Sequence, residues 1–454
     1  MDSRKAPPLR RELPSPSFPS LQELPAPAGW RCYVLHDDST DIVACQLLFP
    51  VGSVHARRPG LAHLTLRSLL RGTQRLPAEV FHEQLEALGA SVGINVGLEW
   101  SSLSCTCLRS IWPRVSELVE QMLVEPALSP EEILRERQRQ IAALLEWCQD
   151  PEALAQYALF RLWAPRHPYS VPTLGLLPAL QQLTPERVRE WFATVFQRAT
   201  PRLLLLGGAV TEEEAVRWLE RLSGALPLGN CAPDSVPSPQ WRGGVVGVID
   251  KEAAVQGALV LGLPAPQLTA PDYVAAYAVT MALGGHFLSR LNRRLRERDG
   301  LTYGVSASLH SFRQCGLAVI EGAFALEQIG RACGRIREEL DQLQHAPIPL
   351  GELQRVVRVV YGAVLRQLAT LHGALGLYAK FLVQGLSPSF PQEFLERLRS
   401  LQPEELLPVQ RQYFNPRHAI IAASGRSEQL AKQLADFGEV HFVLSACAER
   451  EAVA

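Results

Sequence analysis

The stretch "PGLAHLTLRSLLRGT", Pro59 to Thr73, decides how the rest of the chain is read. It opens on a Pro-Gly step, carries apolar residues at helical spacing and closes on Gly72, so it reads as a short helix stopped at both ends. His63 and Arg67 stand one turn apart on it and share a face. A zinc-hydrolase helix places two histidines at that spacing, with a glutamate beside them to take a proton from metal-bound water. In the inverted order of that motif, His-x-x-Glu-His, the segment 63–67 would carry it, but it reads His63-Leu64-Thr65-Leu66-Arg67. Leu66 accepts no proton. Arg67 has no lone pair to give and a fixed charge that repels a cation.

Outward from this helix the chain says things twice. "LQQLTPERVREWFATVFQRATPRLLLLGGAV" (180–210) and "LRSLQPEELLPVQRQYFNPRHAIIAASGRS" (398–427) share one order: a Pro-led helix with acids in its first turn, an aromatic, a Pro-containing turn and an apolar strand ending in Gly. Residues 85–123 and 295–340 form a second pair, each with a helix that stops near Gly, two alternating strands and an amphipathic helix. Between the copies lies "ALPLGNCAPDSVPSPQWRGG" (225–244), with the composition of an interdomain linker. The expected organisation is a disordered lead over 1–20, a first domain over 20–225, a linker over 226–243, a second domain over 244–446 and a tail over 447–454. Strands and helices mix without regular βαβ alternation, so the expected class is α+β. Ser129-Pro130-Glu131-Glu132 marks the start of a long helix, and Asp150-Pro151 opens the next.

Composition bounds the partners. With 47% apolar residues, 20% charged residues and a formal net charge of −1, the chain has no global field to gather nucleic acid, anionic lipid or acidic substrate. No apolar run approaches the ~18 residues of a membrane span, and the proline-rich start has no signal-peptide core. Nine cysteines, an odd and scattered set without CxxC spacing, read as reduced and mostly buried thiols, with Cys105 and Cys107 on one strand face. Cytoplasmic residence is the expectation.

The segment "VGSVHARRPGLAHLTLRSLLRGT" (51–73) resembles the first motif of the pitrilysin-type (M16, inverzincin) metallopeptidases, which include the mitochondrial processing peptidase, insulin-degrading enzyme and core subunits of respiratory complex III. The resemblance covers nearly the whole chain. It implies two tandem homologous domains, each a mixed or antiparallel sheet packed with helices. It also implies a third zinc ligand, a glutamate seven residues after another glutamate on a later helix. Glu136 matches the earlier acid, but the ligand position is Ala143, and the next acid, Glu146, is read as facing away. Leu66, Arg67 and Ala143 therefore depart at the base and at two of three ligands, His63 alone remains, and no zinc is expected in this chain. "RHPYSVPTLG" (166–175) matches a further family stretch, in which His167 is read as organising a turn.

In the second copy, "GGHFLSRLNRRLRERDGLTYGVSASL" (284–309) resembles the family's second signature, and the match is intact. The resemblance assigns Arg296 and Tyr303 to hold peptide over zinc and to stabilise the oxyanion, which suits a guanidinium fork and a phenol. On the residues alone, Arg296 is one of five arginines (290, 293, 294, 296, 298) on a solvated helix, and Tyr303 is an ordinary strand aromatic. Those arginines do not signal nucleic acid, because Glu297 and Asp299 interrupt them and no aromatic platform follows. The implied function is a non-catalytic subunit of a heterodimeric zinc metalloendopeptidase. It would bind peptide substrate for a homologous partner that carries an intact His-x-x-Glu-His and the zinc. Two alternatives are a structural scaffold subunit like the respiratory core proteins, and a self-sufficient peptidase with substitute ligands.

Overall fold

The computed structural model describes residues 16–226 and 236–448. Most of the expected lead, the middle of the expected linker and the end of the expected tail lie outside the described residues. Of the lead, Phe18 packs against the second-half core and the Pro19 carbonyl accepts the Tyr378 hydroxyl at 2.6 Å.

Two six-stranded sheets carry the fold. The first holds β1 (Gln22–Leu24), β2 (Trp30–His36), β3 (Ile42–Phe49), β4 (Ser91–Val96), β5 (Ser101–Leu108) and β6 (Arg202–Gly208), in the order β1-β2-β6-β3-β5-β4. The second holds β7 (Val245–Asp250), β8 (Gln256–Ala265), β9 (Val305–Ser311), β10 (Gly316–Ala325), β11 (Ile420–Gly425) and β12 (Glu439–Val443), in the order β12-β7-β11-β8-β10-β9. Five strands of each sheet correspond one to one. β2 runs parallel to β6 as β7 does to β11, and the other pairs in that shared core are antiparallel. The outermost strands differ, since β1 is antiparallel to β2 whereas β12 is parallel to β7. The mixed α+β class and the duplication are both as the repeats require. The matched segments fold as the helix Pro185–Thr194 leading to β6 and the helix Pro403–Tyr413 leading to β11.

The first five α-helices are α1 (Leu61–Ser68), α2 (Ala78–Ala87), α3 (Trp112–Val124), α4 (Pro130–Trp147) and α5 (Pro151–Trp163), of which α1 and α4 carry the site. The start signals act locally: the Ser129 hydroxyl accepts the Glu132 N–H at 3.3 Å, and Asp150 accepts that of Glu152 at 2.9 Å. α5 then leaves its own sheet and packs on β7, β8 and β11 of the other. In return, the helix Leu371–Leu382 covers one face of the first sheet, where Leu375 and Tyr378 join Tyr33, Leu35 and Leu205 in a separate apolar core. Each half thus supplies a helix that the other needs to bury a sheet face.

Glycines permit both close approaches. A Cβ at Gly262 would stand 2.7 Å from Leu159 of α5, and one at Gly207 the same distance from Leu371. Replacing Gly262 by Val should therefore destabilise the chain by about 1–3 kcal/mol through overpacking. A urea midpoint equal to that of the parent would refute this account of the crossing.

Past β12 the chain returns to the first half. Ala446 is buried, its carbonyl accepts the Leu177 N–H at 3.2 Å, and Cys447 is disulfide-bonded to Cys148 across Cα atoms 6.8 Å apart. This corrects the reading of uniformly reduced thiols: the partners are 299 residues apart in sequence, and only the return of the C-terminal segment brings them together. The other described cysteines are free, and Cys105 and Cys107 are buried on one face of β5 as expected. Among the described residues no helix is long and apolar enough to cross a membrane.

Candidate functional site

α1 begins at Gly60, whose φ of +84° is the left-handed conformation that favours glycine. The helix stops at Ser68, short of Gly72, because the N–H groups of Leu69, Leu70 and Arg71 turn to carbonyls three residues back. Leu64 and Leu66, on either side of the face that carries His63 and Arg67, are 0% and 1% exposed, so the leucine at the expected base position belongs to the core. α1 packs against α4, the helix Pro185–Thr194 and the edge strand β4.

The centre of this region is Glu136 on α4. Its side chain is 6% exposed, and three guanidiniums surround it: Arg71 at 2.8 Å, Arg139 at 3.1 Å and Arg67 at 3.8 Å. A buried carboxylate needs such compensation, since desolvation alone costs several kcal/mol per ion. Arg71 and Arg139 escaped the sequence reading. The available signal was spacing: Arg71 lies one turn beyond Arg67, and Arg139 one turn beyond Glu136.

Gln140 ties α4 to the start of α1, its amide donating to the carbonyls of Gly60 at 3.1 Å and Leu174 at 2.7 Å. Burial pushes the His63 imidazole below the ordinary histidine range, and the Arg67 charge adds to this while Gln140 and Glu136 oppose it. Gln140 lies beside the ring, but no hydrogen bond of good geometry joins them: His63 Nδ1 and Gln140 Oε1 are both buried without a partner. Ala143 is exposed on the same helix. Glu146, read from sequence as facing away, is in fact only about 60° round the helix from Ala143 and is also exposed.

These residues do not fit a zinc ion. A guanidinium stands at the second ligand position, a core leucine at the base and a methyl group at the third ligand. Among the described residues, no three His, Cys, Asp or Glu side chains converge to hold a metal. No hydrolytic step follows from this cluster.

The second region is built on a π-helical turn, Asn292–Arg298. Its Asn292 is buried, donating to the Val305 carbonyl at 2.8 Å and accepting the Val305 N–H at 3.1 Å, which fixes the turn to the start of β9. The arginines here are mostly paired rather than simply solvated. Arg290 meets Glu352 at 2.9 Å, Arg293 the same acid at 3.4 Å, and Arg294 meets Glu338 at 3.0 Å.

Arg296 is 16% exposed, pairs with Glu297 at 2.8 Å, donates to the Phe287 carbonyl at 3.3 Å and lies 3.5 Å over the Phe287 ring. Tyr303 sits on a bend before β9, not in a strand, and is 94% exposed. Its hydroxyl makes no hydrogen bond within the described residues, and none joins it to Arg296. The structure therefore places these two residues on one motif without a hydrogen bond between them.

His167 caps a short turn, its Nδ1 accepting the Tyr169 N–H at 3.1 Å and its Nε2 lying 2.7 Å from the Pro237 carbonyl. Tyr169 donates to the buried Glu99 at 2.6 Å, and Glu99 also takes the Arg313 N–H at 3.0 Å. This latch between the halves carried no sequence signal, since its members are 70 and 214 residues apart.

Comparison with known proteins agrees with this architecture. The sequence model described as "Insulinase (Peptidase family M16)" matches residues 32–162, and that described as "Peptidase M16 inactive domain" matches residues 182–360. The chain is 22% identical over 386 residues to a protein of Streptomyces coelicolor named "Uncharacterized zinc protease SCO5738", covering 83% of each. It is 21% identical to the "Non-peptidase homolog YmxG" of Helicobacter pylori, covering 79% of this chain and 85% of that one. The crystal structure of a peptidase M16 inactive domain from Pseudomonas fluorescens shares the fold, with a TM-score of 0.80 at 21% identity over 89% of this chain and 98% of that one. With both of its halves matched and the duplicated fold in place, the chain belongs to the M16 peptidase family.

Proposed function

We propose that this chain is a non-catalytic, peptide-binding subunit of a two-chain M16 peptidase, whose homologous partner carries the intact His-x-x-Glu-His and the zinc. The reading rests on the contrast between the two regions. In the first half, Arg67 and Leu66 replace the chemistry with an ion cluster and a core contact. In the second half, Tyr303 is 94% exposed and its hydroxyl has no partner among the described residues, which leaves it able to meet a group from outside the chain. In this role Tyr303 donates to the oxyanion forming on peptide held over the partner's zinc, and Arg296 holds the chain beside it. Extended peptide adds to a free sheet edge, with main-chain pairing as the source of affinity.

Isolation of the chain under native conditions, with mass and peptidase activity measured on one fraction, tests the reading. A partner of similar size with an intact motif, and activity only in the pair, is expected. A chain that stays alone or self-associates without activity refutes it in favour of a scaffold. Within an active pair, Tyr303→Phe should lower turnover by about 10²–10³-fold, the cost of losing one oxyanion donor, with assembly unchanged. Unchanged turnover would remove Tyr303 from the mechanism.

A further inference from the structure

We propose that the free edge of β4 beside α1 binds an extended peptide segment bearing a carboxylate, and that Arg67 is the group that reads it. The proposal rests on the peptide-binding reading above and names what this half of the chain selects.

Three observations carry it. First, the cluster is charge-unbalanced: the guanidiniums of Arg67, Arg71 and Arg139 surround the single carboxylate of Glu136. Second, the three arginines are not equally engaged. Arg71 and Arg139 approach Glu136 to 2.8 and 3.1 Å, whereas Arg67 stays at 3.8 Å, beyond hydrogen-bonding distance, with 36% of its side chain exposed. A guanidinium carries five N–H donors, so Arg67 retains a fork for a second, external carboxylate.

Third, α1 packs against β4, the outermost strand of its sheet. β4 pairs only with β5, and its other edge makes no main-chain hydrogen bond within the described residues. A peptide added to that edge extends the sheet, and every second side chain points to one face. A carboxylate on that face, or at the end of the segment, meets Arg67. The fixed cation then orients the peptide without supplying a nucleophile.

The test uses the full chain and fluorescein-labelled, unstructured ten-residue peptides in matched forms, followed by fluorescence anisotropy at low salt. One form carries a central Glu with a C-terminal amide. A second replaces that Glu by Gln, and a third keeps Gln but ends in a free carboxylate. The Glu form is expected to bind about tenfold or more tighter than the Gln amide, as a charge-assisted hydrogen bond gives. The third form shows whether a chain terminus serves as well as a side chain. Arg67→Gln should erase the difference, Arg67→Lys should keep part of it, and salt near 0.5 M should compress it. Equal binding of the Glu and Gln amides overturns the carboxylate reading and leaves peptide binding intact. Failure of all three forms to bind overturns both. Should Arg67→Gln not fold, the wild-type comparison and Arg67→Lys decide the matter.

Discussion

The double variant R67H/A143E is expected to bind one zinc ion per chain, and the parent is expected to bind none. His63 and the new imidazole would stand one turn apart on α1, and a carboxylate at position 143 would rise from the exposed surface of α4, which packs against that helix. The frame is suited to this change. Zinc requires neutral imidazoles, and burial already holds His63 below the ordinary histidine range. Removing Arg67 takes away the one guanidinium that occupies a ligand position, and Glu136 keeps Arg71 and Arg139. Metal content after dialysis gives the answer, and it should return to zero on adding H63A. Zinc in the unaltered chain would contradict the reading of Leu66, Arg67 and Ala143, and no zinc in the variant would mean that α1 and α4 have moved out of metal-binding register. Proteolysis is not expected to return with the metal, because position 66 lies in the core, 1% exposed, and a glutamate there would pay the cost of burial.

Glu136→Ala should be the most damaging single change in the same region, costing about 3–5 kcal/mol in chemical denaturation. The carboxylate is 6% exposed, and its loss leaves the partly buried Arg71 and its neighbours facing one another without a counter-charge. Arg67→Gln provides the contrast. Arg67 is about one-third exposed and 3.8 Å away, so solvent screens most of its contribution, and a loss under ~1 kcal/mol is expected. Equal effects from the two changes would mean that Arg67, not Arg71, is the main partner of the buried acid.

Much of the fold was legible in particular residues. Ser129-Pro130 and Asp150-Pro151 start helices because a side-chain oxygen meets an unpaired N–H and proline tolerates the first turn, both local effects. The repeat of a Pro-led helix before an apolar strand foretold two copies, since like sequences bury like faces. The candidate site was legible as a loss, because Leu66 and Arg67 cannot do what the frame around them implies.

The sequence by itself determined the element types, their duplication and the absence of a zinc-binding set at His63, Leu66, Arg67 and Ala143, because these follow from local propensity and side-chain chemistry. The tertiary structure alone decided the exchange of α5 and the helix Leu371–Leu382 between sheets, the pairing of Cys148 with Cys447, the Glu99 latch and the convergence of Arg71 and Arg139 on Glu136. Each joins groups from separate elements. Such contacts depend on how packed faces meet in space, and the local pattern of a chain carries no measure of that.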